Sequence, residues 1–181
     1  MSSPWPATLL NRARRIRLVA LDVDGVLTDG GLYLNDDGVQ MKRFYVGDGM
    51  GIRLLLDAGI SVGFITARHS RLVELRAREL NLSFCHQDVK NKWARLSHEM
   101  KQQGIDAADC AYMGDDLVDL PVLTRVGFAA APADARPQVC SRVHWVASLG
   151  GGRGAVREMA EGILQAQGAW EAILKAMVEK R

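Results

Sequence analysis

Short apolar runs alternate along the chain with stretches whose apolar residues recur every three or four positions. "RLVALDV" (17–23) is apolar over almost every residue, the pattern of a strand covered on both faces. "ISVGFIT" (60–66), "CAYMG" (110–114) and "GFAAA" (127–131) repeat it, and "SFCHQ" (83–87) and "RVHWV" (142–146) predict two shorter strands. Helical spacing covers 49–59, 70–80, about 90–103 and 116–126. A short helix is expected at 134–140, and the tail after the glycines at 150–154 is largely helical. Gly59 stands where the helix over 49–59 would end. "LYLN" (32–35) and "VQMKRFY" (39–45), on either side of "DDG" (36–38), predict a β-hairpin.

Strand–helix alternation at this spacing predicts an α/β fold with a doubly wound, mostly parallel sheet. Only the early hairpin breaks the rhythm. One domain spanning residues 1–181 is expected, with a hairpin flap at about 31–46 and a helical tail at about 154–181. No internal repeat, low-complexity segment or interdomain linker interrupts it. In such a sheet, ligands bind beyond the carboxyl ends of the strands. Asp22 and Asp24 follow the first strand, Thr66 closes the second, and Asp115 and Asp116 follow "CAYMG". Three polar clusters, far apart in sequence, are therefore expected on one edge.

Composition narrows the chemistry. The chain has 48% hydrophobic residues and a net charge of +2, enough for a full core and too little charge for a strong field toward nucleic acid. The run Arg12, Arg14, Arg15 and Arg17 reads as a solvated face. Cys85, Cys110 and Cys140 show no zinc spacing and read as free thiols of a cytosolic protein. The N-terminus lacks the ordered regions of a secretion signal, and no apolar run approaches the roughly 20 residues that cross a bilayer. A cytoplasmic protein with no membrane or nucleic-acid partner is expected.

Several motifs can be set aside. An EF-hand starting at Asp22 would place Val26 and Leu27 at its fifth and sixth positions and Tyr33 where its glutamate belongs. "GDGMG" (47–51) lacks the full dinucleotide fingerprint, and "GGGRG" (150–154) lacks the lysine and hydroxyl of a P-loop. Paired carboxylates at a strand end suit a different use. Hard oxygen ligands bind magnesium together with substrate phosphate oxygens. An aspartate beside that ion can attack phosphorus, and a carboxyl two residues on can move the proton. An Asp-rich turn explains "DVDG" when it is taken alone; the later clusters shift the reading toward phosphate chemistry.

"DVDGVLTDG" (22–30), "ITAR" (65–68), "NK" (91–92) and "GDDLVD" (114–119) resemble the four ordered motifs of the haloacid dehalogenase superfamily. Within it, "DVDGVLTDGG", "GDGMGI", "ITAR" and "GGRGAVRE" (151–158) resemble the phosphatases of 3-deoxy-D-manno-octulosonate 8-phosphate, cytosolic enzymes of lipopolysaccharide precursor synthesis. The resemblance covers roughly residues 17–168. It implies Mg²⁺-dependent hydrolysis of a phosphorylated sugar acid through a phosphoaspartyl intermediate. Asp22 then resembles the nucleophile, and Asp24 the general acid and base, which also offers its backbone carbonyl to the metal. Asp115 resembles the third metal ligand, and Asp116 and Asp119 the residues that hold the metal site and Lys92.

Thr66 and Lys92 resemble the residues that bind the transferring phosphoryl group. Lys90 lies two residues away, so the choice of Lys92 rests on the "NK" match. Asp48, Gly49, Arg68, Arg153 and Arg157 are the expected substrate contacts. A surface salt bridge competes as an explanation of Arg68, and a glycine loop leading into a helix competes for Arg153. One departure stands out: Gly47 occupies a position where such relatives carry Arg or Lys, so a cation is absent or comes from Lys42, Arg43 or a neighbouring subunit. The intervals between motifs leave no room for a large cap. The resemblance implies a capless homotetramer whose hairpins assemble. Two other readings remain: a phosphatase of a nine-carbon sugar-acid phosphate, and a non-catalytic scaffold of the same fold.

Overall fold

The computed structural model describes residues 5–38 and 40–179, so Val39 of the expected hairpin and the last two residues of the expected tail lie outside the described residues. In chain order the elements are α1 (Ala7–Ala13), β1 (Leu18–Leu21), β2 (Tyr33–Leu34), β3 (Gln40–Met41), α2 (Val46–Asp57), β4 (Ser61–Ile65), α3 (Arg71–Leu80) and β5 (Phe84–His86). Then come α4 (Lys92–Gln103), β6 (Cys110–Met113), α5 (Leu120–Leu123), β7 (Phe128–Ala131), α6 (Pro137–Cys140), β8 (Trp145–Val146), α7 (Ala155–Ala166) and α8 (Trp170–Glu179). Two 3-10 turns, Ala107–Asp109 and Leu117–Asp119, precede β6 and α5.

Six strands form one parallel sheet in the order β5-β4-β1-β6-β7-β8. Its strands are apolar on both sides because helices cover both faces. Val19, Leu21, Val62, Phe64, Met113 and Phe128 pack with α1, α2, α3 and α7 on one face. Leu18, Ala20, Ile65, Tyr112 and Ala129 pack with α4, α5 and α6 on the other. This is the doubly wound α/β arrangement expected from the alternation.

The winding reverses at β1. The chain moves from β1 to β4 and β5, then returns to β6 on the other side of β1. Leu21 pairs with Phe64 in β4 and with Met113 in β6, so all three strands end at the same level. The Asp22 amide bonds the Met113 carbonyl (3.0 Å) and the Thr66 amide the His86 carbonyl (2.9 Å), which holds the strand ends together one residue further.

Four local differences from the sequence reading have physical causes. α2 begins at Val46, three residues before the expected start, so Gly47, Asp48 and Gly49 form its first turn, and Asp48 favours that end of the helix dipole. The expected helix over 116–126 is broken into the 3-10 turn and the short α5, because Pro121 can open a helix but not sit inside one. The hairpin exists, but its paired strands have two residues each, joined by a turn in which the Gly38 amide bonds the Asn35 carbonyl. Finally, α1 was not expected. Its apolar stripe is only Leu9 and Ala13, too short to stand out, and it is anchored from outside by Trp5, which packs on Phe128 and Trp145. The arginine run belongs to this anchoring: Arg12 donates to the Gly127 carbonyl (2.8 Å) and Arg15 to Asp109 (3.0 Å).

Candidate active site

The residues that follow β1 and β6 meet at the carboxyl edge of the sheet. Carboxylate oxygens of Asp22, Asp115 and Asp119 all lie within 4.8 Å of one another. Lys92, the first residue of α4, points back into this group. Its ammonium contacts Asp22 Oδ1 at 2.9 Å and Asp119 Oδ1 at 2.7 Å. Asn91 fixes the start of α4 by accepting the Ala94 amide with its side chain (3.0 Å). Thr66 is buried at the end of β4, where its hydroxyl oxygen accepts the Arg68 amide (3.2 Å).

One ammonium among three carboxylates leaves the cluster rich in negative charge. Burial raises the Asp115 carboxyl to about 7, with Asp22 and Asp119 adding to the shift. Burial and the Asp119 charge raise Asp22 to about 6, against the pull of Lys92. Lys92 is held above its usual range by the two carboxylates it touches, although burial opposes this. A cluster of this kind is relieved by a dication.

The donor set fits magnesium. Asp115 Oδ1 is buried without a hydrogen-bond partner, as an oxygen awaiting a metal would be. Gly25 has φ +93°, and a Cβ there would collide with the Asp115 carboxylate, so glycine keeps this space open. Asp119 is different, although it belongs to the same cluster. It is 0% exposed, and both its oxygens are already used. Oδ1 accepts from Lys92 and from the Tyr112 hydroxyl (2.7 Å), and Oδ2 from the amides of Asp115 (3.1 Å) and Asp116 (3.2 Å). Asp119 therefore orients Lys92 and the Asp115 loop. A solvated helix position is ruled out for it. Asp116 does not reach Lys92. It is exposed and bonds the Leu117 amide (2.7 Å), capping the 3-10 turn in a reciprocal box with Asp119. Tyr112 was missed in the sequence, although a tyrosine in a buried strand signals that its hydroxyl has a partner.

No family model matches the chain. The 3-deoxy-D-manno-octulosonate 8-phosphate phosphatase KdsC of Escherichia coli (strain K12) is 43% identical over 165 residues, covering 91% of this chain and 88% of that protein. The chain belongs to this phosphatase family. Solved structures agree. The Moraxella catarrhalis phosphatase, in complex with magnesium ion, phosphate ion and a KDO molecule, superposes with a TM-score of 0.91 at 38% identity, covering 93% of this chain and 97% of that one. The Yersinia pestis phosphatase gives a TM-score of 0.90 at 40% identity, over 91% and 89% of the two chains.

In this member of the phosphatase family, cations line the rim of the acid cluster. Lys42, just after β3, pairs with Asp24 Oδ1. The half-exposed Arg68 places its Nε 3.9 Å from Asp24 Oδ2. Arg43 and Arg153 both act on Asp29, whose carboxyl is lowered first by its hydrogen bond from the Tyr33 hydroxyl. Glycines bring the Arg153 segment to the site of its own chain. The Gly152 amide bonds the Val26 carbonyl (2.9 Å), and a Cβ on Gly151 would overlap the Gly25 carbonyl.

Asp48, Gly49 and Arg157 make contacts between α2, α3 and α7, and Asp48 Oδ2 is buried without a hydrogen-bond partner among the described residues. Asp48 is buried, and its Oδ1 accepts the Arg157 amide (2.9 Å) at the start of α7, so it caps a helix that is distant in sequence. A Cβ on Gly49 would strike the Arg76 guanidinium, so Gly49 permits close packing of α2 on α3. The Arg157 side chain pairs with Glu161 on its own helix. A Cβ on Gly47 would meet the Tyr45 ring, so glycine leaves room for that ring where it stands. Asp48→Ala is expected to lower stability by about 1–2 kcal/mol, as lost N-caps do, with KM for substrate unchanged. Chemical denaturation and steady-state kinetics check both halves, and a large rise in KM without loss of stability would return Asp48 to the substrate.

Proposed function

We propose that this chain hydrolyses 3-deoxy-D-manno-octulosonate 8-phosphate to the free sugar acid and phosphate, in the cytoplasm, with Asp22 as the covalent nucleophile. The carrying observation is the meeting of Asp22, Lys92 and Asp115 at the ends of β1 and β6. The Asp22 carboxylate attacks phosphorus, and a phosphoaspartate forms as the P–O bond to the sugar breaks. Asp24 gives its proton to the departing alcohol and takes one from the water that later releases phosphate. Lys92 and Thr66 face the phosphoryl oxygens. Asp22, Asp115 and the Asp24 backbone carbonyl would hold Mg²⁺, which when bound would supply positive charge for the phosphoryl group. Arg68 and Arg153, at the rim, are assigned to the sugar-acid carboxylate. Asp48, Gly49 and Arg157 are assigned to the packing beneath.

Phosphate release tests this with a panel of the eight-carbon substrate, a nine-carbon sugar-acid 9-phosphate and p-nitrophenyl phosphate, with Mg²⁺ or with EDTA. The eight-carbon substrate should be fastest, and EDTA should stop all three. Equal rates in EDTA would contradict the proposal.

A homotetramer is part of the same reading. The hairpin leaves Leu32 (55% exposed) and Leu34 (62%) exposed, and Met41 (58%) beside Tyr33 on its opposite face, apolar side chains available for packing against other copies of the chain. Sedimentation should give four chains, and a monomer at assay concentration would refute the assembly.

A further inference from the structure

The two oxygens of the Asp24 carboxylate have different surroundings. Oδ1 is engaged by Lys42. Oδ2 is buried, has no hydrogen-bond partner among the described residues, and lies on the Arg68 side at 3.9 Å. Lys42 is itself unusual. It sits between the exposed Met41 and Arg43 on the return arm of the hairpin, yet its side chain is only 1% exposed. Lysines are seldom buried unless paired, and Asp24 is the partner. The hairpin thus inserts one cation into the site while its apolar residues face outward.

We infer that Lys42 is a positioning residue that acts through Asp24: its ammonium holds Oδ1, fixes the plane of the carboxyl group, and leaves Oδ2 as the oxygen that exchanges the proton. This rests on the reading of Asp24 as acid and base. In the first step an Asp22 oxygen bonds phosphorus, the bond from phosphorus to the sugar oxygen breaks, and the Oδ2 proton moves to that oxygen, so a neutral alcohol leaves. In the second step water bonds phosphorus, the bond to Asp22 breaks, and Oδ2 takes the water proton. Lys42 neither gives nor takes a proton. Its part is to keep one oxygen occupied, so that the carboxyl group does not rotate away from the leaving group. The hairpin therefore acts as part of the proton-transfer apparatus.

The test compares leaving groups by kcat/KM, which reports the step in which the leaving group departs. A sugar alcohol needs a proton to leave, whereas p-nitrophenolate does not. Lys42→Met should lower kcat/KM for the sugar phosphate about 10- to 100-fold, part of the 10²–10⁴ that a general acid contributes, and that for p-nitrophenyl phosphate less than about threefold. Asp24→Asn, measured alongside, should show the same contrast more strongly. Parallel losses on both substrates in Lys42→Met, or no loss on either, would overturn the inference. If Asp24→Asn shows the contrast and Lys42→Met does not, the inference alone fails. If Asp24→Asn shows none, the reading of Asp24 fails and the inference falls with it. Lys42→Gln provides the same comparison should Lys42→Met not fold. Failure of both variants to fold would also overturn it, because it would make Lys42 a structural residue.

Discussion

Asp22→Asn is expected to abolish turnover, lowering kcat about 10⁴-fold or more, as loss of a covalent nucleophile does. The fold should survive. Asparagine has nearly the same shape, and its carbonyl oxygen can still accept from Lys92, which now touches Asp22 Oδ1 at 2.9 Å. Stability without metal should even change in the protein's favour. In the folded chain Asp22 rises from 3.8 to about 6, and Asp115 from 3.8 to about 7. Between about pH 4 and pH 7 the folded state therefore holds protons that the unfolded state has released, so stability in EDTA falls as pH rises through this window. Asp22→Asn removes one of the crowded charges and should flatten that fall, as should Mg²⁺ in the unmodified protein. Phosphate-release assays and thermal melts in EDTA at about pH 5 and pH 8 check both parts. Near-normal turnover would remove Asp22 from the chemistry.

Lys92→Met is expected to reduce activity less severely and with the opposite effect on stability. The loss in kcat should be about 10²–10³-fold, the effect of removing one donor from the charge that develops in a transition state. Its removal also leaves the buried Asp22 and Asp119 without their cation. Breaking a buried pair from one side costs about 3–5 kcal/mol, and somewhat less where the abandoned carboxylate takes up a proton. The destabilisation should therefore be greatest at high pH and shrink as pH falls. The opposite responses of Asp22→Asn and Lys92→Met in EDTA separate a crowded acid cluster from a merely polar pocket. If both variants melted together at every pH, the electrostatic account of the cluster would be wrong.

The sheet was legible because its strands are covered on both faces and so appear as unbroken apolar runs, such as Leu18–Leu21. The acid edge was legible for a related reason: a parallel sheet brings every strand end to one side, so Asp22, Thr66 and Asp115 could be placed together before any distance was known. What escaped was decided by contacts distant in sequence. α1 depends on Trp5, on Arg12 bonded to the Gly127 carbonyl and on Arg15 bonded to the Asp109 carboxylate, all partners far along the chain. Asp48 lies in a motif expected to face substrate, and the bond from the Arg157 amide to its Oδ1, more than a hundred residues along the chain, had no local signal. Pro121 offered a local signal for the break near 120, and the apolar periodicity around it concealed that signal. Exposure alternates along the hairpin arm, but the inward position carries the charge of Lys42 and the outward ones include Met41 and Tyr45, so the apolar pattern conceals its inward turn.

The proposed reaction requires that Asp22 carry a phosphoryl group. Acid quench during turnover of the sugar phosphate with Mg²⁺, followed by borohydride reduction and peptide mapping, reads this directly. Reduction of an acyl phosphate converts the aspartate to homoserine, and the predicted result is homoserine at position 22 and nowhere else. Homoserine at another aspartate, or none while turnover proceeds and the phosphoenzyme step is slow enough to accumulate, would contradict it.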